Sequence, residues 1–329
     1  MIDKFIAAMS QAGCAPYSDA DVIETGGESR LIRAEGDKAG RKSLYYSWDG
    51  TFGNWYSCKK GENGYWFDKG SKSLSKEERA SLKKERENRL KELEQAHIRK
   101  QSELALQLES EWEFYSETGS SGYLDKKRIS NFGGRFDPKK LILKIVDRDW
   151  KIWGLQDIYP DGSKLFRKGA RKKGCFIPIG IESHNTPERV YFVEGYATGV
   201  SVHMAMGYPV IACLDAGNMP TVAVSLRGKW PDAKFIFCAD NDKFDKDGNL
   251  RDENPGRQAA EQAAAKARGF VIWPEFSDDD KNNTDFNDLH VLSGLDSVRQ
   301  RLELAGGLPL SSEPAAQDGP PVDHEQRVS

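Results

Sequence analysis

The chain has 329 residues, 38% of them hydrophobic and 30% charged, with a formal net charge of −3 at pH 7. This length allows roughly two domains of about 150 residues each, together with a linker. The near-neutral net charge excludes a protein that is basic as a whole. Any binding of nucleic acid must therefore depend on local clusters of Lys and Arg.

The cysteines are odd in number and scattered, and they form neither a CxxC pair nor a Cys/His spacing typical of zinc sites. They are Cys14, Cys58, Cys175, Cys213 and Cys238. This pattern predicts a reducing cytoplasmic compartment and no zinc. No secretory signal is visible, and no apolar run approaches the roughly 18 residues of a membrane span. We therefore expect neither secretion nor a membrane partner.

Residues 1–70 are rich in aromatic residues and glycine, as in "RKSLYYSWDGTFGNWYS". Short alternating runs predict a small α+β domain, with Gly50, Gly53, Gly61 and Gly64 at turns. The aromatic side chains fit two interpretations, a small hydrophobic core or a surface that stacks on bases. They are Trp48, Phe52, Trp55, Tyr56, Tyr65 and Trp66.

Residues 71–118 are predicted to be a charged helical linker, since Glu, Lys, Arg, Leu and Gln dominate from Ser75 to about Tyr115. The "SKEE" sequence from Ser75 to Glu78 fits a capping box at the helix start. Apolar residues are sparse before Leu104. A solvated spacer helix and a coiled coil are both compatible with this pattern.

Residues 119–187 are predicted to form a β-containing basic subdomain. The "YPDGS" sequence at Tyr159–Ser163 is typical of a hairpin turn between two strands. At the other end of the chain, residues 308–329 lack a periodic apolar pattern. We expect them to form a disordered tail.

Residues 188–307 alternate between short apolar strands and amphipathic helices. The strands are predicted in "RVYFVEG", "YPVIACLDAG", "AKFIFCADND" and "FVIWPEF", and a single final helix in "TDFNDLHVLSGLDSVRQRLELA". Strands that are almost entirely apolar indicate a parallel sheet covered by helices on both faces. The predicted fold class is α/β here and α+β for the whole chain.

Carboxylates follow each predicted strand of this sheet. In open parallel sheets the ligand site lies at the carboxyl ends of the strands, so these side chains should meet at one edge. They are Glu194, Asp215, Asp240, Asp242, Asp285 and Asp288. A single Asp-x-Asp after a strand is commonly a turn or a helix cap, but acidic residues at successive strand ends indicate a divalent cation. Oxygen ligands without His or Cys favour Mg²⁺ or Mn²⁺.

The stretch "SKLFRKGARKKG" is a local basic cluster that contains no acidic residue. Its cations are Lys164, Arg167, Lys168, Arg171, Lys172 and Lys173. It is either a solvated surface loop or, beside an acidic metal site, the segment that attracts polyphosphate. Arg257 opens a predicted helix, where it either binds phosphate or makes a salt bridge within that helix.

Several motifs resemble a known family. "VYFVEGYATG", then "CADND" followed by "NPGR", resembles the Toprim domain shared by DnaG-type primases, topoisomerases and some nucleases. "IACLDAGN", "NPGRQAAEQAAAKARG" and "TDFNDLH" are similar to motifs of the TraC-like primases of conjugative plasmids and phages. The likeness extends upstream through "DGSKLFRKGARKKGCF" and more loosely to "GTFGNW".

The resemblance implies roles for individual residues. Glu194 would be the general acid/base, Asp240 and Asp242 would hold metals, and Asp215, Asp285 and Asp288 would be secondary acidic positions. The basic stretch would line the groove for template and nucleotide. Two departures exist: Thr198 stands where DnaG-type primases usually have Asp, and the N-terminal zinc module is absent, which puts template sequence preference in doubt.

The resemblance therefore implies a DNA primase of plasmid or phage replication or transfer. It would make short RNA primers on single-stranded DNA from NTPs by two-metal chemistry, with a separate replicative helicase as a candidate partner. Two alternatives remain, a Toprim nuclease that cleaves DNA and a non-catalytic DNA-binding replication factor. No GxxxxGK[ST] motif is present, which argues against a fused helicase.

Overall fold

The computed structural model describes residues 1–67, 76–245, 248–277 and 280–304. The chain divides into two compact units, Met1–Glu92 and Leu93–Ser329, and the division falls within a long helix. The predicted cap at Ser75 and the predicted tail at 308–329 lie outside the described residues. Among the residues described, no helix is both long enough and apolar enough to cross a membrane.

The first unit consists of a helix packed on one face of an antiparallel sheet with strand order β1-β2-β3-β4. Its elements are α1 (Ile2–Gln11), a 3-10 turn (Asp19–Asp21), β1 (Arg30–Ile32), β2 (Leu44–Trp48), β3 (Phe52–Ser57) and β4 (Glu62–Phe67). The core lies between helix and sheet, where Phe5 of α1 stacks on Trp48 at a centroid distance of 4.9 Å. The predicted α+β unit is therefore present.

Two of the four glycines expected at turns lie inside strands instead. Gly53 is in β3 and Gly64 is in β4. A Cβ at Gly53 would lie 2.3 Å from the Phe5 ring, and one at Gly64 would lie 2.2 Å from Trp55. The absence of a side chain at these two positions allows the aromatic core to pack directly on the strands.

The charged segment is one helix, α2 (Lys76–Glu113), of 38 residues. At 1.5 Å per residue it is about 57 Å long. Its C-terminal part is not a solvated spacer, because Ala105, Leu108 and Trp112 are buried in the core of the second unit. Leu106 points away from that core and is 62% exposed.

A second antiparallel sheet precedes the parallel one, with strand order β5-β6-β7-β8. Its elements are α3 (Gly122–Lys127), β5 (Gly134–Asp137), β6 (Lys140–Val146), β7 (Ile152–Ile158) and β8 (Lys164–Phe166). The predicted hairpin at Tyr159–Ser163 is confirmed, because Ile158 pairs with Lys164 across it. Gly162 adopts φ 92° in this turn, a conformation that favours glycine.

The main sheet has five strands in the order β13-β12-β10-β11-β9. Its strands are β9 (Ile177–Ile179), β10 (Arg189–Val193), β11 (Val210–Ala212), β12 (Lys234–Cys238) and β13 (Phe270–Ile272). The strands β10 to β13 are parallel, as predicted. The edge strand β9 pairs antiparallel with β11, so this sheet begins upstream of the expected boundary at residue 188.

Helices cover both faces of this sheet. They are α4 (Tyr196–Met206), α5 (Met219–Lys229), α6 (Pro255–Ala267), α7 (Phe286–Ser293) and α8 (Leu295–Glu303). Along β10, Val190 and Phe192 pack with α5 and α6, whereas Tyr191 and Val193 pack with α4, α7 and α8. This alternation explains why the strands are apolar throughout.

The prediction of a single final helix is wrong, because this segment forms two helices, α7 and α8. Gly294 separates them with φ 86°, a backbone conformation outside the helical region.

Candidate active site

The carboxyl ends of the parallel strands bring the predicted carboxylates to one edge. Glu194 directly follows β10, Asp215 follows β11, and Asp240 follows β12. Since β10 lies between β12 and β11 in the sheet, Glu194 lies between the other two groups. The edge is therefore acidic, as the sequence predicted.

Glu194 lies in the middle of this acidic edge. Burial, followed by the charges of Asp242, Asp215 and Asp285, raises its pKa from 4.5 to about 7. A hydrogen bond from the Ala216 backbone N–H opposes this change. A carboxyl with a pKa near neutrality can both accept and donate a proton at physiological pH.

Asp240 carries a buried carboxylate oxygen and a raised pKa. Its Oδ1 is buried and finds no hydrogen-bond partner among the described residues. Burial, together with the charges of Glu194, Asp285, Asp242 and Asp288, holds its pKa well above the ordinary value. A buried carboxylate oxygen without a donor, surrounded by other carboxylates, fits a site that a cation completes.

The start of α6 packs directly against Asp240. A Cβ added at Gly256 would lie 2.5 Å from the Asp240 backbone oxygen, which is too close for any side chain. Gly256 therefore permits the close approach of the helix start to the β12 end. This explains the glycine in the "NPGR" motif.

Two asparagines that the sequence analysis did not identify hold the Asp240–Asp242 turn. The Asn241 backbone N–H donates to the Thr284 carbonyl at 2.8 Å, and its Nδ2 donates to the Pro274 carbonyl at 2.8 Å. Asn254 Oδ1 accepts from the Asp242 backbone N–H at 3.1 Å. The turn that carries both aspartates is therefore fixed to the loop before α7 and to the start of α6.

Asp285 and Asp288 form a capping box at the start of α7. Asp285 Oδ1 accepts from the backbone N–H groups of Asn287 and Asp288 at 2.7 and 2.9 Å, and Asp285 Oδ2 accepts from Thr198 Oγ1 at 2.9 Å. Asp288 Oδ2 accepts from the Thr284 N–H at 2.9 Å. Both carboxylates thus have a structural role, and Thr198 contacts the site through Asp285.

Asn218 connects the end of the basic stretch with the loop after β11 that carries Asp215. Its Nδ2 donates to the carbonyls of Cys175 and Cys213, both at 2.8 Å, and its Oδ1 accepts from the Gly174 N–H at 2.8 Å. Its backbone N–H donates to Asp215 Oδ1 at 2.9 Å. The sequence offered no signal for this role because Gly174 and Cys175 lie more than 40 residues upstream of Asn218.

The donor set of the site fits Mg²⁺ or Mn²⁺ better than a softer metal, because it consists of carboxylate oxygens alone. Within the described ranges, no three Asp, Glu, His or Cys side chains are arranged to hold one ion together. Mg²⁺ commonly uses one or two carboxylates and completes its coordination with water and phosphate oxygens. Asp240 and Asp242 are the pair best placed for this, because Asp285 and Asp288 cap a helix.

The basic stretch does not present all its cations to solvent. Arg167 donates to Asp157 Oδ2 at 2.7 Å and to Glu111 Oε1 at 2.6 Å, which ties β8 to β7 and α2. Arg171 lies 4.6 Å from the Trp153 ring centroid. Lys172 lies 3.5 Å from the Phe166 ring centroid. Arg167 and Arg171 are partly buried, whereas Lys168, Lys172 and Lys173 are exposed.

Lys164 is the basic residue that reaches the acidic edge. Its Nζ lies 3.9 Å from where a Cβ of Gly195 would be, next to Glu194. Although Lys164 is an exposed residue, partial burial of its ammonium and the nearby charge of Lys127 lower its pKa. Lys127 in turn lies 3.8 Å from Asp288 Oδ1 and adds a cation that the sequence analysis did not identify.

Arg257 stacks on an aromatic ring at the start of α6. Its guanidinium lies 3.7 Å from the Trp273 ring centroid, and one of its terminal nitrogens lies 3.6 Å from Glu261 Oε1. Its Nε finds no hydrogen-bond partner among the described residues. The intrahelical salt bridge predicted as one of two alternatives is therefore present.

In a comparison with protein families, residues 189–296 of this chain match the Toprim domain. All six predicted carboxylates lie in this Toprim region, and the basic stretch lies just upstream of it.

Two curated relatives, both DNA primase TraC from Escherichia coli, are similar to this chain. They are 30% identical over 286 residues and 31% identical over 287 residues. Each alignment covers 84% of this chain but only 26% and 20% of the relatives. The chain thus spans a minor part of their length. The resemblance to Toprim-domain primases of the TraC-like group is confirmed.

Among solved structures, the zinc-binding and RNA polymerase domains of the Aquifex aeolicus primase are similar to this chain, with a TM-score of 0.43 and 15% identity. The match covers 93% of this chain and 86% of that one.

Proposed function

We propose that this chain is a DNA primase module that joins ribonucleotides on single-stranded DNA. The observation that carries this proposal is the acidic edge of the Toprim region, with Glu194 beside the buried, unpartnered oxygen of Asp240. Its similarity to TraC primases supports primer synthesis in particular.

Glu194 is the proposed general base. The 3′-oxygen of the growing strand attacks the α-phosphorus of the incoming NTP, a new P–O bond forms, and the bond to pyrophosphate breaks. The hydroxyl proton passes to the Glu194 carboxylate, and pyrophosphate leaves. A pKa of about 7 leaves a substantial fraction of Glu194 deprotonated at neutral pH, as this step requires.

Asp240 and Asp242 are the proposed ligands of Mg²⁺ or Mn²⁺, as one ion or two, which would neutralise phosphate charge and activate the attacking hydroxyl. Asn241 and Asn254 hold the turn on which these aspartates stand. Asp285 fixes the start of α7 beside them.

Cations around the acidic edge are the proposed contacts for phosphates. Lys164 is close enough to Glu194 to meet the triphosphate, and the partly exposed guanidinium of Arg257 is proposed as a second contact. Lys168 and Lys173 are exposed and are proposed to contact the DNA backbone. Arg167 is proposed instead to hold the basic stretch in place, because its guanidinium forms partly buried ion pairs with Asp157 and Glu111.

The cellular context also belongs to the proposal. We infer NTPs and single-stranded DNA as substrates, a cytoplasmic location, and replication or transfer of a plasmid or phage. A separate replicative helicase would be the partner. The resemblance to TraC-like primases is the support for these inferences.

A direct test uses single-stranded circular DNA, labelled NTPs, and Mg²⁺ or Mn²⁺, with products separated on a denaturing gel. Short labelled oligoribonucleotides are expected from the wild type and not from Glu194→Gln or Asp240→Asn. The matched control is Glu188→Gln, an exposed glutamate just before β10, at the end opposite the acidic edge, which should retain synthesis. Cleavage of the template without synthesis would indicate a nuclease. DNA binding with neither product would refute both enzymatic functions.

A further inference from the structure

The sheet of the first unit has two different faces. On the inner face, Leu44, Tyr46, Trp48 and Trp55 are buried against α1. The other face, which we call the outer face, is formed by the alternate residues of β2, β3 and β4. It consists of Tyr45, Ser47, Phe52, Asn54, Tyr56, Asn63, Tyr65 and Phe67.

Aromatic rings are exposed across the outer face. Tyr65 is 68% exposed, Phe67 49%, Tyr56 44% and Tyr45 40%. The strand register places Tyr45 opposite Tyr56 and Phe52 opposite Phe67. Exposed aromatic side chains that are neighbours on one rigid sheet are unusual for a solvated surface and indicate a binding surface.

The geometry of the rings suits flat ligands. The rings of Tyr65 and Phe67 are nearly parallel, 13° apart, with centroids separated by 6.4 Å. Tyr65 and Phe67 are alternate residues of β4, so this spacing is the ordinary one along a strand. The two rings offer nearly parallel faces on which bases can stack.

The polar residues of the outer face suit nucleic acid. Between the rings are the amides of Asn54 and Asn63, whereas Ser47 is buried and donates to Asn54 Oδ1; none of the eight residues is acidic. Residues 30–60 carry seven Lys and Arg against three Asp and Glu, but residues 1–67 as a whole carry eight against nine. At the β1 side, the guanidinium of Arg33 lies 3.7 Å from the ring centroid of Tyr17, itself 58% exposed. Because the unit as a whole is not basic, we expect stacking rather than charge to supply most of the affinity.

We propose that the outer face binds single-stranded DNA by stacking Tyr45, Tyr56, Tyr65 and Phe67 on bases, largely independently of sequence. Stacking on aromatic side chains is tolerant of sequence because every base has a flat π-face. The choice of DNA as the occupant rests on the proposed primase function. The outer face would then be a DNA contact separate from the acidic edge.

The test measures binding of the full chain to fluorescein-labelled oligo(dT) of about 16 nucleotides by anisotropy, without NTPs. Tyr65→Ala should weaken binding about tenfold, and adding Tyr56→Ala should weaken it further. Tyr65→Phe should bind like the wild type, whereas Tyr65→Leu, which is apolar but lacks a ring, should bind like Tyr65→Ala. Phe114→Ala, at an aromatic residue 87% exposed in the second unit, is the matched control and should have no effect.

An abasic strand of the same length separates stacking from charge. Wild type and Tyr65→Ala should bind it equally, since it has phosphates but no bases. Normal binding of oligo(dT) by Tyr65→Ala, full binding by Tyr65→Leu, or equal losses on both probes would overturn the proposal. A change in the oligomeric state of Tyr65→Ala with unchanged DNA affinity would identify the outer face as an interface between copies.

These measurements distinguish failure of the stacking proposal from failure of the proposed primase function. A chain that shows the expected binding pattern but makes no primers would refute priming alone. A chain that makes primers and binds oligo(dT) normally as Tyr65→Ala would refute the stacking face alone. Because the substituted side chains are exposed, thermal unfolding should be unchanged, which verifies that each variant is folded.

Discussion

Glu194→Gln should stabilise the metal-free protein at alkaline pH and have little effect on its stability at acidic pH. Burial among carboxylates raises the pKa of Glu194 from 4.5 to about 7. A difference of this size corresponds to about 3 kcal/mol, part of which the neighbouring carboxylates share. Glutamine fills the same space without the charge, so it removes this unfavourable contribution.

The direction of the pH dependence follows from proton binding. In the unfolded chain Glu194 loses its proton near pH 4.5, and in the folded protein near pH 7. Between these values the folded state binds more protons, so its stability falls as pH rises. The unfavourable contribution is absent below the unfolded pKa and complete above the folded pKa. The substitution should therefore add about 3 kcal/mol near pH 8 and less than about 1 kcal/mol near pH 5.

Urea unfolding in EDTA at these two pH values measures the effect. Glu188→Gln is the control, because it removes the same charge at an exposed position just before the same strand. It should change the free energy of unfolding by less than about 0.5 kcal/mol at either pH. A gain for Glu194→Gln that is equal at both pH values, or a loss near pH 8, would refute the electrostatic interpretation.

Four further predictions concern the site. Mn²⁺ should raise the melting temperature of the wild type but not that of Asp240→Asn, as scanning calorimetry would record. Asn218→Ala leaves buried carbonyls unpaired, so urea unfolding should show a loss of about 3 kcal/mol. Arg167→Ala should reduce the free energy of unfolding by about 2 kcal/mol. Lys168→Ala should leave it unchanged and reduce the slope of the logarithm of the DNA-binding constant against the logarithm of salt concentration by about 1. Gly256→Ala should reduce stability by about 1 to 3 kcal/mol and abolish priming, since its Cβ meets the Asp240 backbone.

The controls distinguish local from general effects. For Asp240→Asn, Asp232→Asn removes an exposed carboxylate of the same domain and should preserve the response to Mn²⁺. For Asn218→Ala, Asn185→Ala removes an amide from an exposed turn and should cost less than about 1 kcal/mol. A normal response to Mn²⁺ in Asp240→Asn would contradict the ligand assignment. Equal salt slopes for wild type and Lys168→Ala would remove Lys168 from the DNA contacts.

The sequence was sufficient for the architecture of the Toprim region because its signals are local. Apolar strands such as Arg189–Val193 are recognisable from a few consecutive residues, and a carboxylate after a parallel strand must lie at the carboxyl edge. Glu194 and Asp240 could therefore be placed in one site without coordinates. The split between α7 and α8 was missed because an isolated glycine in a helical pattern is often tolerated.

The remaining features depend on contacts between residues distant in sequence. Asn218 resembles an ordinary turn residue until the basic loop, more than 40 residues upstream, is brought beside it. Arg167 resembles the other cations of its stretch, yet Asp157 and Glu111 engage it. Tyr56 and Trp55 are adjacent in the chain, and only the packing of α1 determines which of them is exposed. Patterns of residue type do not contain this information.

The antiparallel pairing of β9 with β11 has a practical consequence for dissecting this protein. A truncation that begins at residue 189, where the Toprim match begins, would remove Ile177–Ile179 and leave Val210–Ala212 as a bare, apolar sheet edge. Unpaired edges of this kind recruit strands from other molecules, so we expect such a fragment to aggregate. Fragments that begin at residue 175 would keep this edge paired with β9. The strand β9 therefore protects the parallel sheet from self-association.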